Sequence, residues 1–194
     1  MEIGATKAVQ DRLKTTKIEE SKGASLVFCW DTHLTKIKGR NVLFIVNASN
    51  RYTIAMTDIE PRNWNYYAMY ISRVIRVVMQ EMGYSEDQIG QYFKMSGDTT
   101  VTKTHGRKSV GGINRMVMDA QYFGKKLEKE AKYQWELSEY LNRDICQPEG
   151  FDAYGYPSEL FKLDMERLGI ATKRKPAKVI NFSQYIESNR STNH

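Results

Sequence analysis

Three apolar runs in the first third of the chain have the composition of β-strands. They are rich in β-branched and aromatic residues, and turn-prone residues separate them at 38–41 and 47–50. The runs are 26–30, 42–46 and 52–56. Because short connections join antiparallel neighbours, the pattern predicts an antiparallel meander. Residues 2–5 and 99–104 are two further segments predicted to be strands.

Helical spacing dominates the rest of the chain. After Pro61, apolar residues recur every three or four positions as far as Met82, and Ser85 with Gln88 forms a capping-box pattern for a second helix. Apolar positions from 113 to about 143 also follow a helical period, which predicts one long helix, and a shorter helix should run from 157 to about 168. The polar residues 15–23 are predicted to be a linker, and residues 188–194 a frayed end.

The predicted fold class is therefore α+β: an antiparallel β-sheet packed against helices, with a C-terminal helical extension. We expect an α+β domain over 2–112 and the helical extension over 113–187, packed on the first domain or projecting from it.

Composition narrows the class of protein. A hydrophobic content of 41% with 27% charged residues is ordinary for a soluble protein, and no run of about 18 apolar residues could span a bilayer. No targeting segment is evident, so a cytoplasmic location is expected. Cys29 and Cys146 lie far apart, without a C-x-x-C motif or a clustered histidine, which argues against a disulfide framework and zinc. We expect no metal and no cofactor.

Positive charge is concentrated in one part of the chain. The net charge is +6, and residues 99–132 contain eight Lys or Arg against three acidic residues. This charge permits a nucleic-acid or another acidic partner without requiring one, and the Lys residues of 125–132 also fit ordinary i,i+4 ion pairs on a solvated helix. A second basic run, 173–175, gives weaker support.

Two basic segments carry histidines, 30–40 and 103–108. If the fold brings them together, His33 and His105 could act as general base and acid on a phosphodiester, with Lys103 or Arg107 stabilising the transition state. This combination would make a metal-independent ribonuclease. The alternative is that both histidines are ordinary loop residues beside strands.

A nucleic-acid surface could be built from an aromatic ring and exposed cations. The candidates are Trp30, Arg40, Arg51, Arg107, Lys108, Lys125 and Lys129. Trp30 ends an apolar run, so packing in the core is the alternative to stacking on a base. Arg40 lies in a predicted turn, where an exposed charge usually serves solubility, and only a surface shared with Lys103 and Arg107 would make it a phosphate ligand.

Several of these residues together carry a resemblance to a known family. They are Trp30-x-x-His33, the basic turn at Arg40, the strand 42–46 with Asn47, Arg51-Tyr52, the strand 102–104 with Arg107 and Ser109, and Gly112-Ile113-Asn114. The chain resembles, over about 2–114, a family of small bacterial and phage proteins classed as a domain of unknown function, the 6933 family. The family's spread among phages and other mobile elements implies an accessory or counter-defence protein.

Two functions are the main candidates from the sequence, and a third, binding of a small molecule in a pocket between strands and a helix, stays open without a cofactor motif to support it. The first is a protein of a phage or mobile element that acts on RNA or a ribonucleoprotein, for example an anti-CRISPR protein acting on guide RNA or on its Cas effector. The second is a protein-binding inhibitor without catalytic activity, anchored by the helix 113–143 and by Tyr133, Trp135, Tyr140 and Tyr154.

Overall fold

A computed structural model describes residues 1–14 and 18–172. The basic run 173–175, the end of the predicted extension at 187 and the predicted frayed end 188–194 lie outside the described residues, as do residues 15–17 of the predicted linker. No helix within the described ranges is long and apolar enough to cross a membrane.

In the described residues, five strands form one mixed sheet. Their bounds are β1 Glu2–Ala5, β2 Cys29–Ile37, β3 Arg40–Asn47, β4 Thr53–Thr57 and β5 Thr100–Thr102, and their order in the sheet is β4-β3-β2-β1-β5. The pairs β2–β3 and β3–β4 are antiparallel, which confirms the predicted meander, while β1 is parallel to both β2 and β5. The register places Gly4 between Asp31 on β2 and Thr102 on β5.

The strand β2 is longer than the predicted run 26–30 and begins later. Residues Leu26–Phe28 form a 3-10 turn, and the strand runs from Cys29 to Ile37. A hairpin turn at Lys38 and Gly39, both with positive φ, pairs the polar second half of β2 with all of β3. His33 therefore lies inside a strand and not in a loop, which corrects the alternative drawn from the sequence.

Seven α-helices in the described residues cover the two faces of the sheet. They are α1 Lys7–Leu13, α2 Pro61–Asn65, α3 Tyr67–Glu81, α4 Glu86–Ser96, α5 Arg107–Gln121, α6 Trp135–Asn142 and α7 Pro157–Arg167. One face packs Ile3, Leu43 and Ile45 against α1, α3, α4 and α7. The opposite face packs Phe44 and Val46 against α5 and α6. The fold class is α+β, as predicted.

The prediction of a single long helix over 113–143 is wrong. The helix α5 ends at Gln121, and α6 begins only at Trp135, with irregular chain between them. The Gln134 side-chain amide donates to the carbonyls of Glu128 and Ala131, and its carbonyl accepts from the Glu128 N–H, so side-chain hydrogen bonds replace a helical backbone here.

Residues after 113 are part of the same packed structure as the sheet. Phe161 on α7 is fully buried and lies 6.0 Å from Trp30 and 5.2 Å from Tyr52 between ring centroids. Leu137 and Leu141 on α6 pack on the other face of the sheet. The predicted boundary between 112 and 113 falls inside α5, and the described part of the predicted extension packs on the sheet.

Candidate functional site

The two histidine-bearing segments do meet, through a residue that the sequence did not single out. Asp31, in the middle of β2, accepts a hydrogen bond from His105 Nδ1 at 2.7 Å. The His105 backbone N–H donates to the same carboxylate at 3.2 and 3.3 Å, and the Ser109 hydroxyl also donates to it. This carboxylate therefore fixes the connection between β5 and the first turn of α5 against the sheet.

The second ring nitrogen of His105 faces another carboxylate. His105 Nε2 lies 2.9 Å from Glu2 Oε2. Glu2 also accepts from the Ser21 hydroxyl at 2.6 Å and from the Lys22 backbone N–H at 2.8 Å. The side chains of His105, Glu2 and Asp31 are 3%, 5% and 0% exposed, so an imidazole lies between two carboxylates away from solvent.

Glycine at position 4 makes room for this arrangement. A Cβ added to Gly4 would lie 1.8 Å from Asp31 Oδ1 and 3.1 Å from His105 Nδ1. Glycine inside a strand often marks a close approach of other atoms to the backbone, and here those atoms are the carboxylate and the imidazole.

Interactions with Asp31 and Cys29 keep His105 protonated. Burial by itself lowers the pKa of His105, but the hydrogen bonds and charges of Asp31 and Cys29 outweigh it and raise the pKa to about 10. Burial by itself raises the pKa of Glu2, yet hydrogen bonds from Ser21, His105 and Lys22 and the charge of His105 bring it below the ordinary value. At neutral pH His105 is an imidazolium that donates to both carboxylates, and it has no free lone pair to act as a base.

His33 has the opposite environment. It is half-buried, two residues after Asp31 on the same face of β2, and its Nδ1 lies 3.2 Å from the Thr6 hydroxyl. Burial lowers the pKa of His33. Its imidazole is therefore neutral at pH 7 and in the protonation state that a general base needs.

The third predicted catalytic residue, Lys103, lies just after β5 and is exposed. Its ammonium forms an ion pair with Glu20, and its backbone N–H donates to the Glu19 carbonyl at 2.9 Å. These contacts connect the end of β5 to the segment whose Ser21 and Lys22 cover Glu2. The Lys103 charge is thus partly neutralised by a neighbouring carboxylate.

Three of the predicted nucleic-acid ligands make hydrogen bonds within the protein. Trp30 is 1% exposed, and its indole N–H donates to the Tyr92 hydroxyl at 3.0 Å, so the prediction that it stacks on a base is wrong and the core alternative is correct. Arg40 donates to the Glu128 carbonyl at 2.7 Å and is paired with Asp58. Arg51 donates to the Gly112 carbonyl at 3.2 Å. The Arg40 guanidinium thus connects β3 to the irregular segment after α5, and the Arg51 guanidinium connects the loop before β4 to α5.

The remaining predicted ligands are exposed. Arg107 and Lys108 are the first two residues of α5, directly after His105 and Gly106. Lys125 and Lys129 lie in the irregular segment after α5, and Lys125 forms an exposed ion pair with Glu136 at 2.7 Å. The structure therefore brings Arg107 and Lys108 next to the buried histidine.

Sequence reasoning assigned no role in a site to Glu2, Cys29, Asp31 or Ser109. A ligand atom of Glu2, one of Cys29 and one of His105 lie within 4.8 Å of one another, so Cys29 does have a histidine neighbour in space. Two signals were present in the sequence. Glu2 begins the short strand β1, which Gly4 interrupts, and Asp31 directly follows the apolar run 26–30, where an acidic group is rarely buried without a partner.

Comparison with known proteins gives one finding. The family model described as a domain of unknown function (DUF6933) matches residues 2–160. The match extends beyond the expected limit near 114 and includes α5, α6 and the start of α7. No curated protein and no solved structure matches the chain.

Proposed function

We propose that this chain, which belongs to the DUF6933 family, is an accessory protein. It would bind RNA or a ribonucleoprotein through the exposed cations of α5 and of the segment after it. The family description assigns no activity, so the proposal rests on this chain's own residues. The setting that we propose is a phage or mobile element and the cytoplasm of its host. There an anti-CRISPR protein would meet a guide RNA or its Cas effector.

The observation that carries the proposal is the basic run 107–129. Its six cations are all exposed, and it contains two acidic residues. The cations are Arg107, Lys108, Arg115, Lys125, Lys126 and Lys129. Phosphate contacts of this kind supply most of the sequence-independent affinity for nucleic acid.

The buried cluster of Glu2, Cys29, Asp31, His105 and Ser109 supports this surface. Hydrogen bonds from Ser109 and His105 to Asp31 hold the first turn of α5 on the sheet. Arg107 and Lys108 are therefore presented from a fixed helix end, where the helix dipole also favours an anion. A rigid support limits the entropy lost when these side chains bind phosphates.

Cleavage of RNA would need more than this surface. His33 and His105 have pKa values shifted in opposite directions, which is the relation expected of a base and an acid. However, the His105 side chain is 3% exposed and both of its nitrogens are bonded to carboxylates. Substrate could reach His105 Nε2 only by displacing Glu2. We therefore propose binding as the function, with His33 as the base to test if RNA is cut.

The test is a binding assay with labelled structured RNA, free and loaded in a bacterial Cas effector, at several salt concentrations without added metal. We expect the double variant Arg107→Ala/Lys108→Ala to lose affinity at low salt and to lower the slope of log K against log salt by about 1.5, because each phosphate contact contributes roughly 0.7 to 0.9. The matched control is Arg73→Ala/Lys94→Ala, which removes two exposed cations from α3 and α4.

An equal loss in both double variants would mean that net charge alone attracts RNA. Binding that is absent, or that does not depend on salt, would refute the proposal. Gel analysis of the same mixtures detects cleavage, and fragments that persist in His33→Ala would exclude His33 as the base.

Exposed aromatic residues favour a second candidate, the protein-binding inhibitor. Trp135, Tyr140 and Tyr154 are 42%, 43% and 70% exposed, whereas Tyr133 is half-buried and contacts the Trp135 ring. Large aromatic side chains are frequent anchors of protein interfaces. The binding assay with a Cas effector separates the candidates, since the affinity of an aromatic-anchored interface changes little with salt and would fall in Trp135→Ala or Tyr154→Ala.

A further inference from the structure

The buried cluster contains three side chains of types that bind transition metals. Glu2 and Cys29 are paired in register on β1 and β2, so their side chains share one face of the sheet, and His105 reaches the same point from the connection after β5. A carboxylate oxygen, a sulfur and a ring nitrogen lie within 4.8 Å of one another. Glu2 and Cys29 are buried, as is the His105 side chain.

We propose that Glu2, Cys29 and His105 bind one divalent transition-metal ion, with zinc as the best match to the ligand set. Thiolate and imidazole ligands suit zinc, whereas magnesium and calcium prefer oxygen ligands alone. A shift of a few tenths of an ångström would open the 2.9 Å contact between His105 Nε2 and Glu2 Oε2 to the spacing of two ligands on one ion.

Asp31 gives His105 the second interaction that metal-bound histidines usually have. Its carboxylate accepts from Nδ1 at 2.7 Å and leaves Nε2 directed at Glu2. A carboxylate on the far nitrogen fixes the tautomer and makes the imidazole a better ligand. Asp31 is thus a positioning residue, and the Ser109 hydroxyl in turn holds Asp31.

Backbone carbonyls are the partners of the Cys29 sulfur in the metal-free protein. The sulfur lies 3.5 Å from the Ser25 carbonyl and 3.7 Å from the Ala24 carbonyl. A thiol and an imidazole bind a metal ion in their deprotonated forms, so binding of the ion displaces any protons on these ligand atoms to the buffer.

A buried hydroxyl without a hydrogen-bond partner lies on the same face of the sheet. Thr102 is fully buried beside Gly4, on the face of the sheet that carries Glu2 and Asp31. Its Oγ1 has no hydrogen-bond partner among the described residues. Buried hydroxyl groups are usually bonded, and a water in a fourth coordination position is a partner that this hydroxyl could use.

The experiment is a titration of the chelator-treated protein with Co²⁺, followed by absorption spectroscopy. We expect one equivalent to produce a thiolate-to-cobalt charge-transfer band in the near ultraviolet, and zinc to abolish it by displacement. Cys29→Ser should lose the band. Cys146→Ser is the matched control and should keep it, because Cys146 is a second buried free cysteine that packs elsewhere with Phe151 and Leu160.

The chain has two cysteines, so a band that persists in Cys146→Ser assigns the ligand to Cys29 even if Cys29→Ser fails to fold. A second readout is thermal unfolding, in which zinc should raise the midpoint by several degrees for wild type and Cys146→Ser, and not for a folded Cys29→Ser protein. No band with excess Co²⁺, or a band that survives Cys29→Ser, would overturn the proposal. Neither measurement depends on RNA affinity. If the proposed RNA binding were refuted, the proposal of a metal site would therefore be unaffected.

Discussion

Replacing Gly4 by alanine tests whether the buried cluster stabilises the fold. The new methyl group would lie 1.8 Å from Asp31 Oδ1, well inside contact distance, so the carboxylate must move. Moving it breaks the hydrogen bonds from His105 and Ser109 and leaves buried charges without their partners. Disrupting a buried charged pair typically costs about 3–5 kcal/mol, and we expect Gly4→Ala to lower the free energy of unfolding by about that amount.

Urea denaturation followed by circular dichroism and tryptophan fluorescence measures this loss. Gly111→Ala is the control, since Gly111 is an exposed residue inside α5 and an added Cβ there meets nothing within 4 Å. That substitution should stabilise the protein by about 0.5–1 kcal/mol because alanine favours helix more than glycine does. A double-mutant cycle with Asp31→Ala then measures the coupling free energy between the two positions.

In the background of Asp31→Ala the obstacle to the methyl group is gone, so Gly4→Ala should cost much less there. We expect a coupling of about 1–3 kcal/mol between the two substitutions. A cost below about 1 kcal/mol for Gly4→Ala in the wild-type background, or additive effects, would refute the view that the cluster requires glycine.

Three further outcomes follow from the structure. In chelator-treated protein, NMR should show the His105 imidazole protonated up to about pH 9. The pKa of His105 is about 10 in the folded protein and exceeds the unfolded value, so the stability that this group contributes is complete below pH ~6.5 and is lost as the pH rises toward 10. His105→Gln should remove this pH dependence of the free energy of unfolding. Trp30→Phe should cost about 1–3 kcal/mol by removing the hydrogen bond to Tyr92, as measured by urea unfolding, and should leave RNA affinity unchanged. Phe161→Ala should lower the free energy of unfolding by about 3–5 kcal/mol in the same assay. A negligible loss would mean that the packing of α7 on the sheet does not stabilise the fold.

The part of the fold that depends on local sequence could be predicted. The meander β2-β3-β4 and the capping box at Ser85 and Gln88 are present as expected. Short turns and caps are set by residues within a few positions of one another, and their chemistry is visible in the sequence.

Two local predictions failed because distant contacts decided them. The second half of β2, with His33 and Lys36, has no strong strand pattern, yet pairing with the apolar β3 makes it a strand. The helical period of 113–143 is real, but the Gln134 side chain bonds to carbonyls of the preceding segment and to Thr57 on β4, and these bonds hold an irregular chain between α5 and α6.

The sequence by itself determined the α+β class, the meander, amphipathic helices such as α3 and α4, and the excess of basic residues over 99–132. Only the tertiary structure decided that Trp30 is buried, and that His105 lies between Asp31 and Glu2, which are 74 and 103 residues away along the chain. The physical reason is the parallel pairing of β1 with β2 and β5. Side-chain alternation and helical period report contacts within one element, whereas the order and register of strands from distant parts of the chain arise from the packing of the whole sheet.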